Sequence, residues 1–122
     1  MAAALTFKNE NRKDIHILHV RGRITLGEGA SMLRDAIKTF VACGAAQIVL
    51  DLDGVAYVDS AGIGELVSAY TSVTSQGGRL VLVGLQKRVA DLLRITKLYT
   101  VFQVFDTVDQ ATAALSAPRA VD

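Results

Sequence analysis

The run QIVLDL at residues 47–52 decides the fold class of this chain. It is short, apolar and rich in β-branched side chains, which is typical of a strand covered on both faces in a parallel sheet. Beyond it, apolar residues recur at the three- and four-residue spacing of one helix face: Ile63, Leu66, Val67, Tyr70 and Val73. Gly77 and Gly78 then interrupt the helical pattern, and a second buried-strand pattern covers 79–83. These residues predict a central strand, a crossover helix and a parallel neighbouring strand.

The residues before the central strand predict a hairpin. Residues 5–8 and 15–21 are short β-favouring segments, and the polar stretch 9–14 between them suits a turn. Two antiparallel strands are therefore expected at one side of the sheet. Ile24, after Gly22, predicts a brief third strand.

A first helix is predicted between the hairpin and the central strand. TLGE at residues 25–28 has the spacing of a capping box, which places the start of the helix there. Apolar residues follow at helical spacing: Leu33, Ala36, Ile37, Phe40 and Val41. Gly44 is placed to end this helix.

The last third of the chain repeats the alternation of helix and strand. Val89, Leu92 and Leu93 indicate a third helix, 99–105 a last strand, and 108–115 a fourth helix with Asp106 as its N-cap. The predicted order is βββαβαβαβα. Strands that alternate with helices need parallel crossovers, so the fold class is α/β with a mixed β-sheet and about four α-helices.

Length and composition favour one domain. The chain has 122 residues, 51% of them hydrophobic, which suffices for one core without metal or disulfide support. We assign the domain to residues 5–117, with 1–4 and 118–122 as short tails. Cys43 is the only cysteine, which excludes an internal disulfide and fits a reducing compartment. It is expected to be a small buried hydrophobe.

Charge and hydropathy disfavour several classes of partner. Thirteen basic residues against twelve acidic ones give a net charge of +1, and Trp is absent. Binding to nucleic acid is therefore not expected, because it needs a basic surface or stacking aromatic rings. No apolar run approaches the roughly 20 residues that span a bilayer, and no signal segment is recognisable. We expect a cytoplasmic protein that does not bind membranes.

The segment from Asp51 to Gly64, which joins the central strand to the second helix, contains the candidate functional residues. Asp59 and Ser60 are both good N-cap residues, and either one could cap the helix. The pattern alone favours capping for Ser60, although free N–H groups at a helix start also accept an anion.

Gly62 and Gly64 stand in the first turn of that helix, where glycine costs up to about 1 kcal/mol relative to alanine. Two explanations remain open. The glycines let another surface approach the serine, or they let the helix pack tightly on the sheet. Neither the dinucleotide fingerprint nor the P-loop spacing is present.

Residues 58–64, VDSAGIG, resemble the Asp-Ser-x-Gly-Leu/Ile-Gly phosphoacceptor segment of anti-sigma-factor antagonists, which are built on the STAS domain. Other segments that resemble this family occur in the same order along the chain: GRIT at 22–25, GG at 77–78, VADLL at 89–93 and TKL at 96–98. The resemblance covers about residues 5–115.

The resemblance implies a binding switch rather than an enzyme, with no catalytic residue, cofactor or metal. Ser60 would be phosphorylated by an anti-sigma factor that is also a serine kinase, and a phosphatase would remove the phosphate. The unphosphorylated protein would capture that kinase. The residues implied in partner binding are Asp59, Ser60, Ala61, Gly62, Ile63 and Gly64.

The chain departs from the family pattern at two places. Relatives often carry a second hydroxyl residue after the acceptor, whereas Ala61 follows here and leaves Ser60 as the single acceptor. The turn before the first helix often carries an acidic residue in relatives, whereas this chain has Arg23 and Thr25.

Other functions rank lower. A STAS scaffold that binds partners without phosphorylation is the main alternative, and a serine hydrolase ranks third because Gly-x-Ser-x-Gly is absent. His16 and His19 are three apart on a strand, so they face opposite sides and cannot share a metal. Asp51, Asp53 and Asp59 lie near a strand end and could suggest a magnesium site, but turn capping and solvation are favoured for them. The basic residues Lys87, Arg88 and Arg94 are interpreted as solvated surface.

Overall fold

The computed structural model describes residues 5–116, which form a five-stranded sheet with helices on both faces. The elements in chain order are β1 (Leu5–Arg12), β2 (Ile15–Ile24), α1 (Glu28–Ala42), β3 (Gln47–Val58), α2 (Ser60–Ser75), β4 (Arg79–Val83), α3 (Lys87–Ile95), a 3-10 turn (Leu98–Thr100), β5 (Gln103–Phe105) and α4 (Val108–Ser116). The predicted tails 1–4 and 118–122 lie outside the described residues, as does residue 117.

The sheet is mixed, as predicted, with strand order β1-β2-β3-β4-β5. β1 is antiparallel to β2, and the other neighbours are parallel. The predicted central strand, β3, lies in the middle. Parallel strands end at the same edge, so the end of β3 brings the start of α2 to that edge.

Alternate residues of β3 belong to two separate cores. Ile48, Leu50 and Leu52 are buried with side chains of α1, α2 and α3. Val49, on the other face, is buried with α4. Within the described residues, α4 is therefore the one helix on the second face, and part of that face carries polar side chains.

The predicted order of elements is wrong near the N-terminus, where five strands replace six. Ile24 does not form a third strand, because it continues β2 and pairs with Val58. β1 and β2 are also longer than the strands predicted at 5–8 and 15–21. The turn between them consists of only Lys13 and Asp14, both of which have positive φ. β1 lies at the sheet edge, where its polar side chains reach solvent.

The capping box predicted at residues 25–28 is absent. α1 begins at Glu28 after Gly27, whose φ of 99° is in the left-handed region, and no side chain caps the helix. The Ala30 N–H instead donates to the backbone carbonyl of Thr25. A backbone turn therefore replaces the side-chain cap.

Three other predictions need correction. β3 continues past residue 52 to Val58, so Asp51 and Asp53 lie within a strand. The predicted strand 99–105 shortens to Gln103–Phe105, because a 3-10 turn precedes it. Asp106 does not cap α4, since the Thr107 hydroxyl accepts the Gln110 N–H at 3.1 Å.

Cys43 lies at the exposed C-terminal cap of α1, so the prediction of a buried cysteine is wrong. The helix ends at Ala42, and Cys43 follows it as the C-cap. No helix within residues 5–116 is long and apolar enough to cross a membrane.

Candidate functional site

Asp59 is the single residue between β3 and α2, and it caps the helix. Its backbone is extended, with φ −97° and ψ −173°, and its Oδ1 accepts the Gly62 N–H at 2.9 Å. Its Oδ2 accepts the Leu26 N–H, also at 2.9 Å. One carboxylate therefore joins the first turn of α2 to the connection between β2 and α1.

These hydrogen bonds favour the ionised form of Asp59. The backbone N–H of Leu26, followed by that of Gly62, lowers the pKa of Asp59 below its ordinary value. The carboxylate is charged at neutral pH, and backbone donors already occupy it.

Ser60 is the first residue of α2, and its side chain is exposed. The interpretation of Ser60 as the N-cap is wrong, because Asp59 takes that role. The hydroxyl of Ser60 is therefore not needed to satisfy the helix end. It stands beside backbone N–H groups of the first turn, where an added negative charge is well tolerated.

The two glycines of the first turn have different surroundings. A Cβ on Gly62 would lie 2.1 Å from the Ile24 carbonyl oxygen and 2.7 Å from Val58 Cγ1, so this glycine seats the helix against β2. A Cβ on Gly64 would meet nothing within 4 Å, and the residue is exposed. Tight packing explains Gly62, whereas Gly64 leaves open surface near Ser60.

A groove of about 610 Å³ lies beside Ser60, between the start of α2 and α3. Its α2 side is lined by Ser60 and Ile63 with Asp59 next to them. Its α3 side presents residues at the spacing of one helix face: Arg88, Asp91, Leu92 and Ile95. An exposed hydroxyl thus borders a groove with a mainly apolar floor.

Exposed apolar side chains surround the same place. Leu26 is 80% exposed and Ile95 is 78% exposed, and Tyr57 is also exposed. Tyr57 and Ile95 line the groove, and the backbone of Leu26 is bonded to Asp59. We call Leu26, Tyr57 and Ile95 the apolar rim. Exposed apolar side chains grouped in this way are typical of a protein-binding site.

The other residues predicted for partner binding lie around this centre. Ala61 and Ile63 are half-buried, and Ile63 contacts the core while lining the groove. The residues of the predicted set that are at least partly accessible are therefore Asp59, Ser60, Ala61, Ile63 and Gly64. Gly62 is buried beneath them.

A second polar cluster lies on the other face of the sheet and centres on His19. Its Nδ1 is 2.6 Å from Asp51 Oδ2, and its Nε2 is 2.9 Å from Glu10 Oε1. Arg12 pairs with Glu10 and also reaches Asp109 in α4, at 2.8 Å. Glu10, Arg12, His19, Asp51 and Asp109 form what we call the His19 cluster.

The His19 cluster favours a protonated imidazole. Partial burial lowers the pKa of His19, but the hydrogen bonds to Glu10 and Asp51 outweigh it and raise the pKa above the ordinary value of 6.5. The same contact with His19, assisted by Arg12, lowers the pKa of Glu10. Because the members are paired with one another, the cluster joins β1, β2, β3 and α4.

His16 and His19 point to opposite faces, as predicted. His16 packs its ring against Phe40 at 5.4 Å between centroids, on the α1 side. Within residues 5–116, no group of three or more His, Cys, Asp or Glu side chains is arranged to hold a metal ion.

Sequence reasoning missed the apolar rim, the groove and the pairing of His19. Ile95 carried one available signal, since it lies off the buried stripe of Val89 and Leu93 yet is apolar. The pairing of His19 had no such signal, because it depends on the register of β1 and β3 against β2.

Comparison with known proteins identifies the class. The STAS domain family matches residues 6–111. The anti-sigma-B factor antagonist of Bacillus subtilis is 32% identical over 95 residues, which is 78% of this chain and 84% of that protein. The chain therefore belongs to the STAS domain family.

Solved structures agree with this assignment. The crystal structure of the Thermotoga maritima protein TM1081 has a TM-score of 0.85 and 26% identity, covering 91% of this chain and 95% of that one. An anti-sigma factor antagonist from Mycobacterium paratuberculosis has a TM-score of 0.83 and 25% identity, covering 93% and 95%. Neighbours by sequence and by structure are thus named anti-sigma factor antagonists, which are regulatory binding proteins.

Proposed function

We propose that this protein is a phosphorylation-controlled binding switch that acts as an anti-sigma-factor antagonist and is not itself an enzyme. In its unphosphorylated form it sequesters an anti-sigma factor with serine kinase activity, and phosphorylation of Ser60 releases that partner. A phosphatase then restores the binding form. This exchange takes place in the bacterial cytoplasm.

The observation that carries the proposal is the placement of Ser60. Its hydroxyl is exposed at the first position of α2, while Asp59 supplies the cap. A phosphoacceptor must be reachable by a kinase and must not hold the fold together. Ser60 meets both conditions, and the apolar rim around it offers a partner apolar contact.

The chemical step belongs to the partner. The Oγ of Ser60 attacks the γ-phosphorus of ATP held by the kinase, and a new Oγ–P bond forms. The bond from that phosphorus to the bridging oxygen breaks, ADP leaves, and the hydroxyl proton passes to a base on the partner. The product carries about −1.5 to −2 charges at pH 7.

The added charge weakens binding in two ways. Burying a phosphate in an interface requires its desolvation, which costs several kcal/mol when no cation of the partner compensates. The adjacent charge of Asp59 adds to this cost, because its repulsion of the phosphate grows when the interface excludes water. The fold itself tolerates the phosphate, because it sits at a helix N-terminus.

Comparison of immobilised variants tests the proposal. Wild-type, Ser60→Ala and Ser60→Asp proteins are exposed to lysate of the source cell with ATP and magnesium, and the retained kinase is identified and titrated. Ser68→Asp is a matched control, since Ser68 is also an exposed serine of α2.

We expect Ser60→Ala and Ser68→Asp to bind the kinase, and Ser60→Asp to bind it at least about tenfold more weakly, which is about 1.4 kcal/mol. Equal binding by all variants would instead favour a STAS scaffold whose contacts do not depend on Ser60. The exposed apolar rim would serve either function.

A further inference from the structure

We propose that Arg88 binds the phosphate on Ser60 across the groove, so that the phosphorylated protein closes its own docking surface. The inference rests on the proposed phosphorylation of Ser60. It adds a residue of α3 to the switch and gives release a further cause besides the desolvation of the phosphate and the adjacent charge of Asp59.

The positions of Arg88 and Ser60 support this pairing. Arg88 and Ser60 line the same groove, one from the first turn of α3 and the other from the first turn of α2. Arg88 lies on the face of α3 that also presents Leu92 and Ile95 to the groove. A guanidinium on a long side chain can reach a phosphate from such a position, and its planar donors match phosphate oxygens in pairs.

The guanidinium of Arg88 is also available to bind a phosphate. Asp91 lies on the same face, but Lys87 at 3.5 Å and Arg94 at 3.1 Å already pair with it. Within residues 5–116, no carboxylate lies within ion-pair distance of Arg88. Of the three basic residues of α3, Arg88 is thus the one that a new anion can engage without breaking an existing pair.

The electrostatic surroundings also favour this pairing. The carboxylate of Asp59 is held by two backbone N–H groups, which point its charge toward Leu26 and Gly62. The charge of Asp91 is shared between two cations. The phosphate therefore meets an uncommitted cation in a groove whose two acidic side chains are already partnered.

The ion pair would make the apolar groove less accessible to a partner. An ion pair between the phosphate and Arg88 bridges α2 and α3 above Ile63, Leu92 and Ile95, which form apolar lining of the groove. A partner that docks there must then break that pair as well as desolvate the phosphate. Phosphorylation thus places an ion pair across the groove in which the partner docks.

The test installs phosphoserine at position 60 during translation, so it needs neither the kinase nor any partner. Phosphorus NMR follows the second ionisation of the phosphate, whose pKa is about 6 in an unpaired phosphoserine. Three full-length phosphorylated proteins are compared: the wild type, Arg88→Gln and Arg94→Gln. Arg94 is the matched control, because it belongs to the same helix and already pairs with Asp91.

We expect the phosphate pKa to rise by about half a unit or more in Arg88→Gln and to stay within about 0.2 unit of the wild type in Arg94→Gln. No rise in Arg88→Gln, or an equal rise in both variants, would overturn the inference. Both arginines are exposed. Thermal melts of each variant check that it is folded. Failure here would leave the partner-binding test of Ser60 unaffected, so the two proposals fail separately.

Discussion

The start of α2 and the His19 cluster lie on opposite faces of the sheet and use charge differently. The His19 cluster gathers five charged side chains, and each is paired with another member. The start of α2 has one carboxylate, held by backbone donors, beside an exposed hydroxyl that caps nothing. The pairs of the His19 cluster join four elements and are expected to stabilise the fold. The hydroxyl of Ser60 makes no cap and can be modified without the loss of one. We therefore expect the paired charges to affect stability and the exposed hydroxyl of Ser60 to affect the proposed switch.

Substitution of the two glycines by alanine should show which one is needed for packing of α2 and which one is only exposed surface. Gly62→Ala should destabilise the protein by about 3 kcal/mol, at the upper end for overpacking, since its methyl group meets backbone of β2. Gly64→Ala should stabilise it by about 0.5–1 kcal/mol, because the methyl group is unobstructed and alanine favours the helix. Urea unfolding of both variants measures the difference. Equal effects would contradict the assignment of Gly62 to packing.

Replacement of His19 tests whether the second cluster is structural. His19→Gln should destabilise the protein by about 1–3 kcal/mol near pH 6, because Asp51 and Glu10 lose a charged donor. Denaturant unfolding gives the free energies.

The pH dependence of stability tests whether the imidazole of His19 is charged in the folded protein. The pKa of folded His19 is raised above 6.5, so its stabilisation is complete below 6.5 and is lost as pH rises through the folded pKa. Wild-type stability should therefore fall as pH rises from 6.5 through the pKa of folded His19, and His19→Gln should reduce that fall. His16→Gln is the control, since His16 contacts Phe40 on the other face. An undiminished fall in His19→Gln would mean that the imidazole is not charged in the folded protein.

Asp59 should contribute less to stability than the His19 cluster. Asp59→Ala removes two hydrogen bonds to backbone donors and should lower Tm by about 5 °C. The pKa of folded Asp59 is lowered below 3.8, so this contribution is present above 3.8 and lost as pH falls through the folded value. The Tm difference between wild type and Asp59→Ala should therefore shrink in acid. Calorimetry at several pH values checks this, and a constant difference would contradict it.

Ser60→Asp should have the smallest effect on folding, within about 0.5 kcal/mol of the wild type. The added carboxylate is exposed at a helix N-terminus, where the dipole offsets part of its repulsion by Asp59. Circular dichroism and thermal melting measure the change. A collapsed fold would show that phosphorylation acts on stability rather than on binding.

The repeating part of the fold could be predicted from the sequence. β4 and the body of α2 follow from apolar spacing, and the central position of β3 follows from its apolar run. The sequence-based predictions are wrong where backbone geometry determines the start or end of an element. Gly27 replaces a side-chain cap, and β2 runs through Ile24 because β3 extends to pair with it. The motif alone makes Ser60 a candidate, whereas the apolar rim and the position of Arg88 in the groove depend on where α3 lies relative to α2.

The central claim is that Ser60 is the residue on which the switch acts. The most direct measurement incubates wild-type and Ser60→Ala proteins with the retained kinase, ATP and magnesium, then determines intact mass and maps the modified peptide. The account predicts one phosphoryl group on the wild type, located on Ser60, and none on Ser60→Ala. Phosphate on another residue, or equal incorporation into both proteins, would contradict it.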